Sequence, residues 1–272
     1  MKEEISAQPK KKITFETVYR LVLLFGCLLF CLVTAVVFLF RAEPNKALMA
    51  LASLAFVVIP GIAERLFRFR IQPLLYLFVM LYTICPLLGY SYKFYYLIHW
   101  WDDLLHGFAG VIFAMFGAYL PKAINKDARP NLALCALFGF AFSVMISGLW
   151  ECVEYGFDVS FGTDMQKDTL LTTMRPSYLL GEIFGLPTGE MAELGEIYGT
   201  QINGQLLPGY LDIGLIDTMT DILVETAGAV VYTVIYLVGQ GKFFVFEPLQ
   251  NETEQPSQTG APQKTETTTV QE

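Results

Sequence analysis

Charged residues are scarce in this chain of 272 residues: they make up 16% of it, whereas hydrophobic residues make up 54%. Such a composition is too apolar for an ordinary soluble domain and is typical of membrane proteins. No basic stripe is present and the net charge is −8, so the sequence predicts no nucleic-acid partner. The five cysteines lack the paired spacing of a disulfide framework or a thiolate metal site. We expect them to be small core residues.

Long apolar runs are what the chain has in abundance. A helix needs about 20 apolar residues to cross a hydrocarbon layer about 30 Å thick, where every backbone group must be hydrogen-bonded internally. Six segments meet this test, the second of them only just, because it is short and carries Pro60. They are 21–40, 47–63, 74–90, 101–120, 132–155 and 213–238. The predicted fold class is therefore an all-α, polytopic transmembrane helix bundle of about six spans.

The distribution of Lys and Arg predicts the orientation of the bundle. Cytoplasmic loops are enriched in these residues. With the N terminus in the cytoplasm, only five of the 18 fall on the outer side: Arg41, Lys46, Lys93, Lys167 and Arg175. An even number of spans then returns the C terminus to the cytoplasm, and the aromatic run 90–101 lies at the outer surface, where it suits an interfacial belt.

Three regions follow from this arrangement. Residues 1–20 form a basic cytoplasmic segment, 21–240 the six-span membrane domain, and 249–272 a polar tail that cannot bury enough apolar surface to fold. The outer loop 157–211 is longer than a plain connection and suits a lid. Within it, the sequence LGEIFG at 180–185 recurs as LGEIYG at 194–199, which predicts two short interfacial turns.

Acidic residues inside the last three spans are the main functional signal. A charged side chain in a span costs about 2.5 to 3.5 kcal/mol on insertion scales, so each needs a partner or a role. Spacings of three or four residues place these side chains on one helix face. They are Asp102 and His106 in the fourth span, Glu151 and Glu154 in the fifth, and Asp217, Asp221 and Glu225 in the sixth.

Depth indicates that these faces form one site. At 1.5 Å per residue, His106, Glu151 and Asp217 each lie about 6 to 8 Å below the outer boundary. No Lys or Arg of the spans lies at that level, so either protons or a metal ion must neutralise the carboxylates. The predicted metal ligands are Asp102, His106, Glu151, Glu154, Asp217 and Asp221. Oxygen-rich ligation suits Mg²⁺, Mn²⁺ or Ca²⁺, and a His106 ligand admits Zn²⁺ or Fe²⁺.

Each residue also has a structural interpretation. Asp102 can favour the positive end of a helix dipole at the start of its span, and His106 can be hydrogen-bonded in the core of the bundle. Glu154 can reach the interface, and Glu225, the deepest acid, is either protonated or a ligand. Glu151, Asp217 and Asp221 are harder to explain without a functional site.

The acidic motifs resemble a known family. Asp102-x-x-x-His106, Glu151-x-x-Glu154 and Asp217-x-x-x-Asp221, followed by Gly228, resemble the YjdF-type family of bacterial inner-membrane proteins. More distantly they are similar to VanZ-type proteins, a family linked by one member to glycopeptide-antibiotic resistance. The VanZ-like pattern has an Asn three residues before the terminal Gly, where this chain has Glu225. The resemblance implies a genuine site on these motifs and names no reaction for it.

Three functional hypotheses follow. The first is a metal-dependent enzyme that acts on a membrane lipid or lipid-linked envelope substrate, with His106 or Glu151 as general base. No Gly-x-Ser-x-Gly motif is present, so covalent catalysis is not indicated. The second is a proton- or cation-coupled transporter that uses the same acids. The third is a noncatalytic membrane or resistance factor in which an ion only braces the helices.

Overall fold

Six long helices form the protein. The computed structural model of the chain describes residues 14–124, 131–174, 195–196, 199–241 and 246–248. In these residues the long helices are α1 (Phe15–Phe40), α2 (Pro44–Leu66), α3 (Pro73–Ser91), α5 (Trp101–Ile124), α6 (Leu132–Phe161) and α7 (Leu215–Val238), and a short helix, α4, is Phe94–Leu97. All six long helices have the length and apolar character needed to cross a membrane. The all-α, polytopic bundle predicted from the sequence is confirmed.

Several helices extend beyond the predicted spans: α1 begins at Phe15 rather than at residue 21, and α5 ends at Ile124 rather than at residue 120. Helix α2 continues through Pro60 to Leu66, so the proline does not end the span. Helix α6 runs past Tyr155 to Phe161 and ends at Gly162, whose φ of 61° is the left-handed conformation that glycine adopts at helix C termini. The outer loop predicted at 157–211 therefore begins about one turn later, at Gly162.

Short antiparallel strands occupy the connections between helices and the segment after α7. They are β1 (Phe69–Ile71), β2 (Thr169–Leu171), β3 (Thr173–Met174), β4 (Gly195–Glu196), β5 (Thr200–Ile202), β6 (Gln205–Leu207), β7 (Tyr210–Asp212) and β8 (Phe246–Pro248). They pair as β1 with β8, β2 with β7, β3 with β4 and β5 with β6. The β2–β7 pair sets Thr169 opposite Asp212, which brings both ends of the outer loop to the start of α7. The tail 249–272 and most of the repeat at 180–185 and 194–199 lie outside the described residues.

Close helix packing involves glycine. Helices α1, α2 and α3 pack on one another, and α5, α6 and α7 form a second group of three in mutual contact. A Cβ atom at Gly110 would collide with the carbonyl oxygen of Glu225, and one at Gly228 with the carbonyl oxygen of Gly107. Ser143 of α6 donates a hydrogen bond to the Gly110 carbonyl oxygen at 3.1 Å. Small residues thus hold the backbones of α5, α6 and α7 close together, as in other membrane bundles.

A buried arginine organises one end of the bundle. Arg20 of α1 is 8% exposed and pairs with Glu16 at 2.9 Å and Glu64 of α2 at 2.7 Å. It also donates a hydrogen bond to the carbonyl oxygen of Ile71 in β1. The opposite end, where α5 and α7 begin and α6 ends, carries the acidic residues. We call it the loop end.

Candidate functional site

Asp102 and His106 lie on the inward face of the first turns of α5. His106 is buried, and Asp102 is half-buried beside it. The His106 Nε2 atom lies 3.8 Å from Asp102 Oδ1. Asp103, one residue further along the helix, is exposed, because a shift of one position turns a side chain by about 100° around the axis. Of the two adjacent aspartates, only Asp102 therefore belongs to the site.

Helix α6 contributes Glu151 and Glu154, which are both buried. The Trp150 indole N–H donates a hydrogen bond to Glu154 Oε1 at 2.8 Å. The Trp150 ring also packs edge-on against Phe56 of α2, with 6.1 Å between ring centroids. Trp150 therefore fixes one oxygen of Glu154 and leaves the other available. No spacing or charge pattern in the sequence singles out Trp150 as a residue of the site.

Helix α7 carries three acids one turn apart. The Asp217 side chain is half-buried near the loop, whereas Asp221 and Glu225, deeper in the helix, are each 2% exposed. Asp212 precedes the helix and accepts a hydrogen bond from the backbone N–H of Ile216 at 2.8 Å. This contact satisfies one of the free N–H groups at the start of α7. The column of acids therefore begins at the loop and runs inward.

His106 lies between two of these acids. Its Nε2 atom is 3.3 Å from Asp221 Oδ2, and its Nδ1 atom is 3.6 Å from Glu225 Oε2. A neutral imidazole carries a proton on only one nitrogen. If Nδ1 carries it, the N–H points toward Glu225 and the Nε2 lone pair points toward Asp102 and Asp221.

Two groups of side chains bring potential ligand atoms together. One is Asp102, His106 and Asp221, and the other is Glu151, Glu154 and Asp221. In each group, one ligand atom from every residue lies within 4.8 Å of the others. A divalent cation with bonds of about 2.0 to 2.6 Å reaches atoms separated by that distance. Five of the six predicted metal ligands therefore lie where a cation could bind them.

Several polar atoms of the site lack a hydrogen bond. Both carboxylate oxygens of Glu151 are buried without a hydrogen-bond partner among the described residues, and so are Asp221 Oδ2, Glu225 Oε1 and His106 Nδ1. Buried polar groups in proteins are almost always hydrogen-bonded, so each exception needs an explanation such as an ion. The donor set, carboxylate oxygens with one imidazole nitrogen, fits a divalent cation.

Lys167 of the outer loop supplies a positive charge that α5, α6 and α7 do not contain at the level of the acidic residues. Its ammonium group pairs with Asp102 and lies 3.5 Å from Asp217 Oδ1. Its backbone N–H also donates to Asp217 Oδ2 at 2.9 Å. Burial opposes the charge of Lys167, but the attraction of Asp102, Asp217 and Asp221 outweighs it and raises the pKa of the amine. Asp217, the sixth predicted ligand, holds the loop in this arrangement.

The loop that carries Lys167 folds around Asp158. The carboxylate accepts hydrogen bonds from the Thr163 hydroxyl and the Met165 N–H, both at 2.7 Å, and from the Gln166 N–H at 2.9 Å. The Gln166 side chain donates to the Thr218 hydroxyl of α7 at 2.6 Å. These contacts bind the last turn of α6 and the start of α7 to the segment that positions Lys167.

Other candidates lie outside the site. His99 is exposed in the aromatic segment before α5, and the loop acids Asp164 and Asp168 are exposed as well. The site thus consists of side chains from α5, α6 and α7 with one lysine above them. We call Asp102, His106, Glu151, Glu154, Asp217, Asp221, Glu225 and Lys167 the acidic site.

Comparison with known proteins gives one match. The family described as "Predicted membrane protein (DUF2238)" matches residues 21–241. The chain belongs to this family. The DUF2238 match covers α1 from residue 21 onward, the other five long helices and the outer loop, and so includes every residue of the acidic site. Neither a curated protein nor a solved structure matches the chain.

Proposed function

We propose that this protein is a cation-dependent membrane enzyme that acts on a lipid or lipid-linked envelope substrate at its acidic site. Glu151 carries the proposal, because both its oxygens are buried and form no hydrogen bond of normal geometry among the described residues, with the side chains of Thr218 and Gln166 near them. An ionised carboxylate in that position is strongly unfavourable unless a cation is bound beside it. Glu154 and Asp221 are close enough to share that cation.

The ligand atoms indicate which cations fit. Glu151, Glu154 and Asp221 offer only oxygen, which suits Mg²⁺, Mn²⁺ or Ca²⁺. His106 adds an imidazole nitrogen to the neighbouring group, and this makes Zn²⁺ or Fe²⁺ an acceptable occupant there. The Trp150 hydrogen bond to Glu154 resembles the outer contacts that orient ligating carboxylates in metal sites.

The reaction class we propose is hydrolysis of a phosphoryl or acyl ester. A cation held by Glu151, Glu154 and Asp221 would polarise the phosphoryl or acyl oxygen. The oxygen of water bonds to the phosphorus or acyl carbon, and the bond to the leaving alcohol breaks. One water proton passes to the protein base, and the leaving oxygen takes up a proton. Glu151 is the first candidate base, because one of its oxygens can accept the proton while the other binds the cation. His106 is the second candidate.

The position of the acidic site suits a lipid substrate. It lies at the loop end, beside a segment that exposes Tyr96, Leu97 and Trp100, and such side chains occupy the membrane interface. A lipid head group therefore lies at the level of the site while its chains remain in the bilayer. Lys167, with about a third of its side chain exposed, is placed to pair with an anionic head group.

A proton- or cation-coupled transporter is the second candidate, and the position of His106 favours it. Its two nitrogens face Asp221 and Glu225 at 3.3 and 3.6 Å, so the imidazole can receive a proton on one side and release it on the other. Below it, the hydroxyls of Ser147 and Tyr232 are buried without a hydrogen-bond partner among the described residues. Polar groups thus continue inward from the site.

The distribution of Lys and Arg and the acidic motifs support a location and a family likeness for the protein. We place the protein in the cell membrane with both termini in the cytoplasm, because that orientation leaves few Lys and Arg residues outside. The likeness of the acidic motifs to YjdF-type and VanZ-type proteins supports a shared site. The same likeness supports a further alternative, a noncatalytic resistance factor in which an ion only braces the helices.

Metal analysis tests the proposal directly. The full chain is purified in detergent, and its metal content is measured by mass spectrometry beside a Glu151→Gln, Glu154→Gln double variant. We expect at least one cation per chain in the wild type and a metal content lower by one cation per chain in the double variant. Asp103→Asn, which removes an exposed acid next to the site, should keep the wild-type metal content. Absence of metal in all three proteins, with melting unaffected by chelator, would overturn the proposal and favour the transporter.

A further inference from the structure

The two groups of ligand atoms share one carboxylate. Asp221 belongs both to the group with Asp102 and His106 and to the group with Glu151 and Glu154. It is 2% exposed, and its Oδ2 atom has no hydrogen-bond partner among the described residues. A carboxylate has two oxygens and can bind a different ion through each. Asp221 therefore lies where it can bridge two cations.

The charge of the acidic site also exceeds what one cation can neutralise. Six carboxylates face one ammonium group and one imidazole: Asp102, Glu151, Glu154, Asp217, Asp221 and Glu225 against Lys167 and His106. Lys167 neutralises one of them. If all six carboxylates are ionised, a single divalent cation leaves several of them buried without a partner, which is unfavourable in a low-dielectric interior. Two divalent cations reduce the net charge of the site to near zero.

Each group has an additional residue that orients one of its ligands. In the first, Glu225 lies 3.6 Å from His106 Nδ1, where it favours the tautomer whose Nε2 lone pair faces Asp102 and Asp221. In the second, the Trp150 indole N–H holds one oxygen of Glu154. Carboxylate contacts to the far nitrogen of a ligating histidine and hydrogen bonds to ligating carboxylates are regular features of metal sites. Both halves are therefore built like ligand sets.

We infer that the acidic site holds two divalent cations bridged by Asp221 and that its substrate is a phosphate ester of a membrane lipid or lipid-linked carrier. This inference rests on the proposed function and narrows it. Pairs of cations about 3.5 to 4 Å apart stabilise both the attacking and the leaving oxygen in displacement at phosphorus. In that reaction the water oxygen bonds to phosphorus, the bond to the lipid alcohol breaks, the water proton passes to Glu151, and the alcohol oxygen takes up a proton from solvent. Lys167 pairs with a free oxygen of the phosphate.

Counting bound Mn²⁺ tests the number of cations. The full chain in detergent is saturated with Mn²⁺, freed of excess ion, and examined by metal analysis and electron paramagnetic resonance. We expect two Mn²⁺ per chain and the signal of an exchange-coupled pair. His106→Ala should retain one Mn²⁺ with an uncoupled signal, and Glu154→Gln should do the same through loss of the other ion. Asp221→Asn should abolish the coupling.

The outcomes separate this inference from the proposed function. One Mn²⁺ per chain in the wild type, unchanged in His106→Ala and lost in Glu154→Gln, would overturn the two-cation site and leave a single-cation enzyme. No Mn²⁺ in any variant would overturn both. Asp103→Asn serves as the matched control and should keep two coupled ions. Thermal melting of each variant in chelator identifies any that fails to fold, and Asp102→Asn then replaces His106→Ala as the test of the first group.

The substrate class has its own test. Wild type and Glu151→Gln are incubated with Mn²⁺ and vesicles that contain either a phosphomonoester lipid or a carboxylic-ester lipid of the same chain length. Release of inorganic phosphate by the wild type only, with no release of fatty acid, is the expected result. Release of fatty acid without phosphate, or of neither product, would overturn the phosphate-ester assignment while leaving the Mn²⁺ count to decide the metal site.

Discussion

Lys167, in the loop after α6, forms an ion pair with Asp102 in the first turn of α5, a residue 65 positions earlier in the chain. The same ammonium group lies near Asp217 at the start of α7 and over the Tyr95 ring, 5.1 Å from its centroid. One side chain thus contacts three separate elements at the loop end. The pairing places the outer loop directly above the buried acids, so the loop and the acidic site form one unit.

Replacement of this lysine should loosen the loop. Lys167→Gln removes the partner of Asp102 and one neighbour of Asp217, and we expect a loss of about 1 kcal/mol in local stability. A loss of about 1 kcal/mol corresponds to a factor of about 5 in the equilibrium for local opening. Hydrogen exchange at residues 163–171 should therefore become about 5-fold faster. Lys93→Gln, at an exposed lysine, is the control and should leave exchange unchanged. Equal exchange in Lys167→Gln and wild type would show that the ion pair does not hold the loop.

The stabilisation by Lys167 should depend on pH in a defined direction. The pKa of the folded-state amine is raised above its ordinary value of 10.5, because the attraction of Asp102, Asp217 and Asp221 outweighs the effect of burial. A raised pKa means that the folded state binds the proton more tightly than the unfolded state. The difference in melting temperature between wild type and Lys167→Gln should therefore be constant from neutral pH to about 10 and shrink as the pH rises through the raised pKa. A difference that vanishes near neutral pH would contradict this assignment.

Asp158 should be needed for the shape of the same loop. It accepts hydrogen bonds from Thr163, Met165 and Gln166, and its removal leaves two backbone N–H groups without their acceptor. Asp158→Ala should destabilise this turn by about 2 kcal/mol, seen as faster exchange of the Met165 and Gln166 amides. Ser160→Ala, at an exposed position of the same helical turn, should leave both amides protected. If both variants behave alike, Asp158 does not organise the turn.

Much of the architecture was predictable from the sequence because it depends on local periodicity. The length of each apolar run set the spans, and spacings of three or four residues set which acids share a face, as with Glu151 and Glu154. Equal depth in three helices then predicted that His106, Glu151 and Asp217 belong to one site, whereas the structure brings His106 against Asp221, one turn deeper than Asp217. Both predictions require only helix geometry and the thickness of a bilayer.

The missing parts of the site depend on folding beyond one helix. Lys167 lies in a loop whose path is set by Asp158 and the β2–β7 pair, so no periodicity links it to Asp102. Trp150 lies one residue before Glu151, and an aromatic residue near the end of a span is ordinarily interpreted as an interfacial anchor. The sequence contains one signal that could have indicated the role of Lys167. This residue lies between Asp164 and Asp168 in an otherwise acidic loop.

Trp150 should tune cation affinity without being a ligand. Trp150→Phe keeps a ring against Phe56 but removes the N–H that holds Glu154 Oε1. Loss of such an outer contact lowers metal affinity by about 10-fold. Titration with Mn²⁺, followed by bound-metal analysis, should show this weakening, and the exposed Trp100→Phe should not. An unchanged Kd in Trp150→Phe would show that the hydrogen bond has no influence on the ion.

The close packing of α5 against α7 at Gly110 should be needed for the stability of the protein. A Cβ atom at Gly110 would collide with the Glu225 carbonyl oxygen, whereas Gly148 has open space around its Cα. Gly110→Ala should therefore force α5 and α7 apart and destabilise the protein by about 1 to 3 kcal/mol. Gly148→Ala is the matched control and should be neutral or stabilising by up to about 1 kcal/mol through helix propensity. Melting in detergent measures both, and equal melting temperatures would contradict the close packing.

Neutralisation of Glu151 should have opposite effects with and without cation. In chelator, the wild type retains a buried carboxylate that lacks a hydrogen-bond partner among the described residues, so Glu151→Gln should melt at a higher temperature than the wild type. With Mn²⁺ at about 100 times Kd, the wild type should gain about 2.7 kcal/mol. The variant, with a weakened site, should gain less. The order of melting temperatures should therefore reverse on addition of Mn²⁺.

The reversal distinguishes a cation site from a set of protonated acids. If the carboxylates are neutralised by protons, Mn²⁺ shifts neither protein, and the order of melting temperatures stays the same in chelator and in Mn²⁺. Cys152→Ser changes the next residue, which is exposed, and should follow the wild type in both conditions. A cation that binds the folded state through Glu151 stabilises the wild type more than Glu151→Gln, because its binding free energy adds to the stability of the folded protein. Only such a cation reverses the order of the two melting temperatures between chelator and Mn²⁺.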